Sequence, residues 1–315
     1  MEIASRQSVT RRSFVRGLIA ATGLAAMDPR RALASAGSAP AIAPADRWRI
    51  GCSTRPWDQQ DWRVGLEAIA EAGYRYIGLM TAKPRGVIVS AANSPEQTQE
   101  VREELRKRRL RVITVYGGGF PVDKSIRPGI DSLRKLIDHS AAVESESVLL
   151  AGTSDEKSYD AYYKVIAECC DYAAAKRVMI VLKPHGGLNI DGPRCRKAIE
   201  KVNHRNFRLW YDAGNVFFYT DGKVDPVDDS TTVGGLVAGW CIKDFVPAPK
   251  DVFVNPGDGK VNFKAVLANL RKGGFTGGPL MVETVARGTL PEVLENARKA
   301  RRFVEQLVAD AERSQ

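Results

Sequence analysis

Lys183-Pro184-His185-Gly186-Gly187 follows an apolar run, Val178 to Leu182, and holds one of only three histidines in the chain. Three similar sets come after it: Tyr211-Asp212-Ala213-Gly214-Asn215, Ile242-Lys243-Asp244 and Val282-Glu283-Thr284. In each, ionisable residues stand at the C-terminal end of a short, β-branched apolar segment. Carboxylates, an imidazole and a lysine gathered at one place can move a proton next to a carbonyl or hold a divalent ion. Side chains alternate along a strand, so Lys183 and His185 share a face, as do Trp210 and Asp212, Cys241 and Lys243, and Met281 and Glu283. If these faces turn to one centre, they deliver Lys183, His185, Asp212, Cys241, Lys243 and Glu283 to it, with Asn215, Asp244 and Tyr219 on the rim.

Such convergence requires parallel strands with a common C-terminal end. Strand-like runs occur at Arg49–Ser53, Tyr76–Met80, Arg111–Tyr116, Ser147–Ala151, Val178–Lys183, Arg208–Asp212, Val237–Lys243 and Pro279–Glu283. Amphipathic stretches separate them: Trp62–Ala72, Pro95–Arg108, Ile130–Ala142, Tyr159–Ala175, Gly192–Val202 and Phe263–Lys272, with a last helix at Leu290–Ala311. Gly73 and Gly273-Gly274 supply helix-end signals. This alternation predicts one (β/α)8 TIM barrel over residues 47–315. An open doubly wound sheet is the alternative. It lacks a G-x-G-x-x-G after the first strand, and Gly117-Gly118-Gly119 precedes Phe120-Pro121 rather than a helix start. Trp57, Tyr116, Phe120 and Phe217-Phe218-Tyr219 are candidates for stacking on a bound ring.

Over residues 178–285 the pattern resembles the sugar isomerase/epimerase superfamily with the xylose isomerase-like barrel. Leu209–Asn215 is similar to its sixth-strand motif and Trp240–Phe245 to its seventh-strand His-x-Lys-Asp. Gly257–Phe263, Gly274–Gly277 and Val282-Glu283 resemble its glycine loop, last helix and terminal Glu. The resemblance implies a sugar substrate and a divalent ion held by Glu, Asp, His and Glu. It also implies two Glu residues that exchange a proton at carbon. Lys183 stands at the first Glu position and Cys241 at the His position. The expected metal set is therefore His185, Asp212 and Glu283, with Cys241, binding Mn, Zn, Co or Fe. The alternative is no ion, with Lys183 paired to Asp212 and Glu283. Catalysis is expected from Glu283, Lys183 and His185. Asn215, Lys243, Tyr116 and Trp57 are expected to bind substrate. Three activities follow: a sugar isomerase or epimerase, a lyase or hydratase of a keto-glycoside, or a metal-free carbohydrate-binding barrel. Members of the family commonly form dimers or tetramers, so a homo-oligomer is an expectation without a specified interface.

The remaining sequence bounds the partners and the compartment. The net charge is +10, much of it from arginines before residue 43, and no basic cluster is interleaved with aromatics. Nucleic acid is not an expected partner. Five scattered cysteines without a C-x-x-C pair predict buried thiols rather than a disulfide framework. Ser8-Val9-Thr10-Arg11-Arg12-Ser13-Phe14, a weakly apolar segment to Met27 and Ala32-Leu33-Ala34 resemble a twin-arginine export signal with its cleavage site. Residues 1–34 are read as that signal and 35–46 as a linker. The mature chain is expected in the periplasm or outside the cell, with no permanent membrane anchor, since the apolar run is too short to span.

Overall fold

The computed structural model describes residues 47–313; the expected export signal and the expected linker, residues 1–46, lie outside them. Eight parallel strands close into a barrel. They are β1 (Trp48–Ser53), β2 (Tyr76–Leu79), β3 (Arg111–Tyr116), β4 (Ser147–Leu150), β5 (Met179–Leu182), β6 (Phe207–Asp212), β7 (Val237–Ile242) and β8 (Gly278–Val282). Each pairs with its neighbours in sequence, and β8 returns to β1 with Ile50 opposite Leu280 and Cys52 opposite Val282. The strands are apolar on both faces because one face fills the barrel and the other carries helices. The TIM barrel expected from the alternation is the architecture observed.

The helices are α1 (Trp62–Glu71), α2 (Pro95–Lys107), α3 (Ile126–Ala142), α4 (Tyr159–Ala175), α5 (Gly192–Val202), α6 (Ala213–Tyr219), α7 (Pro226–Thr231), α8 (Phe263–Lys272) and α9 (Leu290–Arg313). Side-chain caps fix where several begin. Asp61 accepts from Arg63 N, Asp191 from Arg194 N and Asn262 from Ala265 N, while Ser94 and Gln97 form a reciprocal capping box. The apolar faces of these helices, including Leu66, Ile69, Val101, Ile137, Ile166, Leu267 and Val304, pack on the outside of the strands. No helix among the described residues is long and apolar enough to cross a membrane.

A second, smaller core fills the barrel itself: Ile113, Leu149, Val181, Trp210, Cys241 and Met281. These alternate with the outward-facing residues, as the pleat requires. The Trp210 indole fits because Gly239 faces it, where a Cβ would stand 2.4 Å from Trp210 Nε1. This plug sets the height of the site, because the next inward position on each of β5 to β8 opens onto the C-terminal mouth. All five cysteines are free and buried.

Candidate active site

Two residues beyond Val181, Trp210, Cys241 and Met281 come Lys183, Asp212, Lys243 and Glu283, the inward faces read from the sequence. They are 0 %, 0 %, 3 % and 3 % exposed. Lys183 Nζ donates to both carboxylate oxygens of Glu283, at 2.7 and 2.6 Å, and lies 3.4 Å from Asp212 Oδ2. Lys243 Nζ donates to Glu283 Oε1 at 2.6 Å, to Asn215 Oδ1 at 3.0 Å and to Asp212 Oδ2 at 3.1 Å. Asp212 Oδ1 caps α6 by accepting from Asn215 N, and Asn215 Nδ2 donates to Pro184 O. Two cations and two anions are thus buried as a neutral box in which each member has several partners. That arrangement is what offsets the desolvation of buried ions.

Charge proximity divides the two acids. Burial alone would raise the Glu283 carboxyl, but the charges of Lys183 and Lys243 and their hydrogen bonds hold it well below the usual range. Asp212 has the longer lysine contacts and the Glu283 charge beside it, and burial pushes it up. Burial would lower Lys183, yet Glu283 first, then Cys241 and Asp212, keep its ammonium form favoured. The Cys241 thiol, below the box, is driven far up by burial.

His185 stands apart from this box. Its ring lies at the mouth, partly exposed, with centroids 5.3 Å from Tyr219 and 6.5 Å from Tyr116. No other side chain among the described residues hydrogen-bonds its ring nitrogens. Burial, then the charges of Lys183 and Lys243, lower its pKa to about 3, so the imidazole is neutral.

The expected site residues fall into distinct places in the structure. Asp212, Cys241 and Glu283 do bring potential ligand atoms within 4.8 Å of one another. His185 does not join that group; its ring lies beside Tyr116 and Tyr219. Glu283 is a poor proton acceptor, since both its oxygens are taken by ammonium groups. Asn215 is 3 % exposed and belongs to the ionic box rather than the rim. Trp57 is 2 % exposed and packs beside Gly65 of α1, so its ring is not offered to a ligand. Asp244 is also off the rim. Fully buried, it accepts from the backbone N–H groups of Phe245, Gly257, Gly259 and Val261 and so shapes the loop leading to α8. Tyr116 and Tyr219 do face the mouth, beside His185.

A family profile for the xylose isomerase-like TIM barrel matches residues 66–307. The chain belongs to that family. Among curated proteins no match is found. Solved structures with the same fold include a xylose isomerase domain protein from Planctomyces limnophilus, 20 % identical, covering 83 % of this chain and 97 % of that one, with a TM-score of 0.66. A D-allulose 3-epimerase from Methylomonas sp. in complex with D-allulose is 18 % identical, with 83 % and 97 % coverage and a TM-score of 0.66. A xylose isomerase-like TIM barrel protein from Mycobacterium smegmatis in complex with magnesium is 16 % identical, with 84 % and 99 % coverage and a TM-score of 0.65.

The Asp212–Cys241–Glu283 group of this chain does not fit a divalent ion. Three of the four carboxylate oxygens of Asp212 and Glu283 accept from lysine, and the fourth caps α6. An added ion would leave two net positive charges in a buried layer that is already neutral. Cys241 would have to ionise although burial drives its thiol far up.

Proposed function

We propose that this protein is a sugar isomerase/epimerase-like enzyme that moves a proton next to a sugar carbonyl without a bound divalent metal. One observation carries this reading: the ammonium groups of Lys183 and Lys243 sit on Asp212 and Glu283 at the C-terminal mouth, where the expected cation would be. Membership of the xylose isomerase-like family supports the substrate class. The box is neutral as a whole, so an enolate oxygen forming above it would be met locally by the Lys183 ammonium, whose contact to Asp212 is the longest in the box at 3.4 Å. At the mouth a sugar would meet His185 as a neutral imidazole, flanked by Tyr116 and Tyr219. With Glu283 held by two ammonium groups, no carboxylate pair faces the mouth from both sides, so isomerisation is favoured over two-base epimerisation. The same geometry serves elimination from a 3-keto-glycoside, where the released group and an unsaturated sugar would replace an isomer as products.

A binding barrel without catalysis is the second reading. It is favoured by the saturation of the Lys243 ammonium, whose three hydrogens already have three acceptors. Incubation with aldoses, ketoses and a 3-keto-glycoside in D2O plus chelator, followed by NMR, separates the readings. Exchange of the proton next to the carbonyl, lost in His185→Gln, supports an enzyme. Saturable sugar binding with no exchange on any substrate supports the binding barrel and overturns the enzyme.

Export by the twin-arginine route is part of the same proposal and rests on Arg11-Arg12 and the segment after them. A reporter fused to residues 1–45 should lose export when both arginines become lysine; undiminished export would overturn it.

A further inference from the structure

The four buried ions of the site cancel, so the charge met by an approaching ligand is set by the rim. Arg55 follows β1, Phe253 lies in the loop after β7, and Arg287 lies in the loop after β8. The Arg287 guanidinium stands 3.6 Å from the Phe253 ring centroid and that of Arg55 stands 5.7 Å from it. Neither guanidinium has a carboxylate partner among the described residues. Nearby acids are engaged elsewhere: Asp58 with Gln59, Asp251 with the N–H groups of Val252 and Phe253, and Asp258 with Asn255.

The three loops are held in place. Ser53 Oγ donates to Glu283 O, Thr284 Oγ1 to Val252 O, and Ala286 N to Asn255 Oδ1. Phe253 and the guanidinium groups are therefore mounted on backbone tied to Glu283 itself. Arg55 is also close enough to His185 for its charge to disfavour the imidazolium. A guanidinium stacked on an aromatic ring loses little freedom on binding and presents its edge to a planar oxyanion.

We propose that Arg287, stacked on Phe253, and Arg55, near the same ring, form an oxyanion subsite at the mouth, and that the sugar this barrel takes carries a carboxylate or a phosphate. The inference rests on the sugar-acting reading above and narrows its substrate class. The anionic group would sit at the rim by the β1, β7 and β8 loops, with the sugar carbons directed toward His185.

Calorimetric titration of the purified full chain with paired probes tests this: D-glucuronate against D-glucose, D-galacturonate against D-galactose, and D-glucose 6-phosphate. One charged probe should bind about tenfold or more tightly than its neutral partner, with the gain shrinking as salt rises. That gain should vanish in Arg287→Ala and in Arg55→Ala while neutral-sugar affinity holds. Whichever of the uronates or the phosphate shows the arginine-dependent gain identifies the oxyanion. Neutral and charged probes binding alike, or a preference that survives both substitutions, overturns the subsite and leaves the sugar reading standing. No binding of any probe overturns the sugar reading with it.

Discussion

Replacing Lys183 by methionine removes an ammonium with contacts of 2.6 and 2.7 Å to Glu283 and 3.4 Å to Asp212. Methionine fills much of the same volume, so the loss is electrostatic rather than a cavity. The box would then hold two carboxylates against Lys243 alone, one uncompensated buried negative charge. Breaking a buried pair from one side costs about 3–5 kcal/mol. For a chain of this size that corresponds to a fall in Tm of roughly 6–15 °C. Denaturant titration should show a lower midpoint with an unchanged slope. The double variant Lys183→Met/Glu283→Gln leaves Asp212 with Lys243, a neutral pair, and should recover about 2 kcal/mol or more of that loss. The deficit of the single variant should shrink as pH falls toward the carboxylate range, because protonating Asp212 or Glu283 removes the excess charge. A Lys183→Met variant within about 1 kcal/mol of the parent, or strictly additive effects in the cycle, would refute a tightly coupled ionic box.

Three further outcomes follow from the same geometry. His185 should stay neutral across the usual working range: its ring resonances in NMR should not titrate between pH 8 and about 5, whereas an ordinary histidine would, near 6.5. Since its folded pKa is depressed, the stability it contributes is present above the unfolded pKa. That stability declines as pH falls from about 6.5 toward about 3, a slope that His185→Gln should flatten. Lys183→Glu/Cys241→His changes the box from neutral to a net charge that a divalent ion can balance. Added Mn2+ or Zn2+ should raise its Tm by several degrees and leave the parent unmoved; no stabilisation would count against the charge argument. Asp244→Ala strands four backbone N–H groups of the loop before α8, so a loss of about 3 kcal/mol or more is expected in denaturant titration. A near-neutral effect would show that Asp244 does not organise the loop.

The barrel was legible because its strands are short apolar runs separated by amphipathic helices with clear caps and stops. The inward faces of β5 to β8 were also legible, since Trp210 and Asp212, Cys241 and Lys243, and Met281 and Glu283 alternate with residues facing the helices. Less visible was what those inward side chains do to one another. Whether Lys183 turns toward Glu283 or aside depends on the distance between strands 100 residues apart in sequence. The helices Ala213–Tyr219 and Pro226–Thr231 are too short to show a period, so Asp212 and Asn215 read as a strand end and a rim residue, though they form a helix cap inside the box. Asp244 carried no sign of its four backbone partners, which arrive from residues 245 to 261. The meeting of Arg55, Phe253 and Arg287 joins three loops that no local pattern connects.

Lysine stands where a divalent cation would be expected. Elemental analysis of the purified protein, before and after incubation with Mn2+ or Zn2+ and removal of free ions, tests that most directly. A site filled by Lys183 and Lys243 should show no stoichiometric metal, and proton exchange on sugar that chelator leaves unchanged. About one ion per chain, lost when Asp212 or Glu283 is replaced, would contradict it.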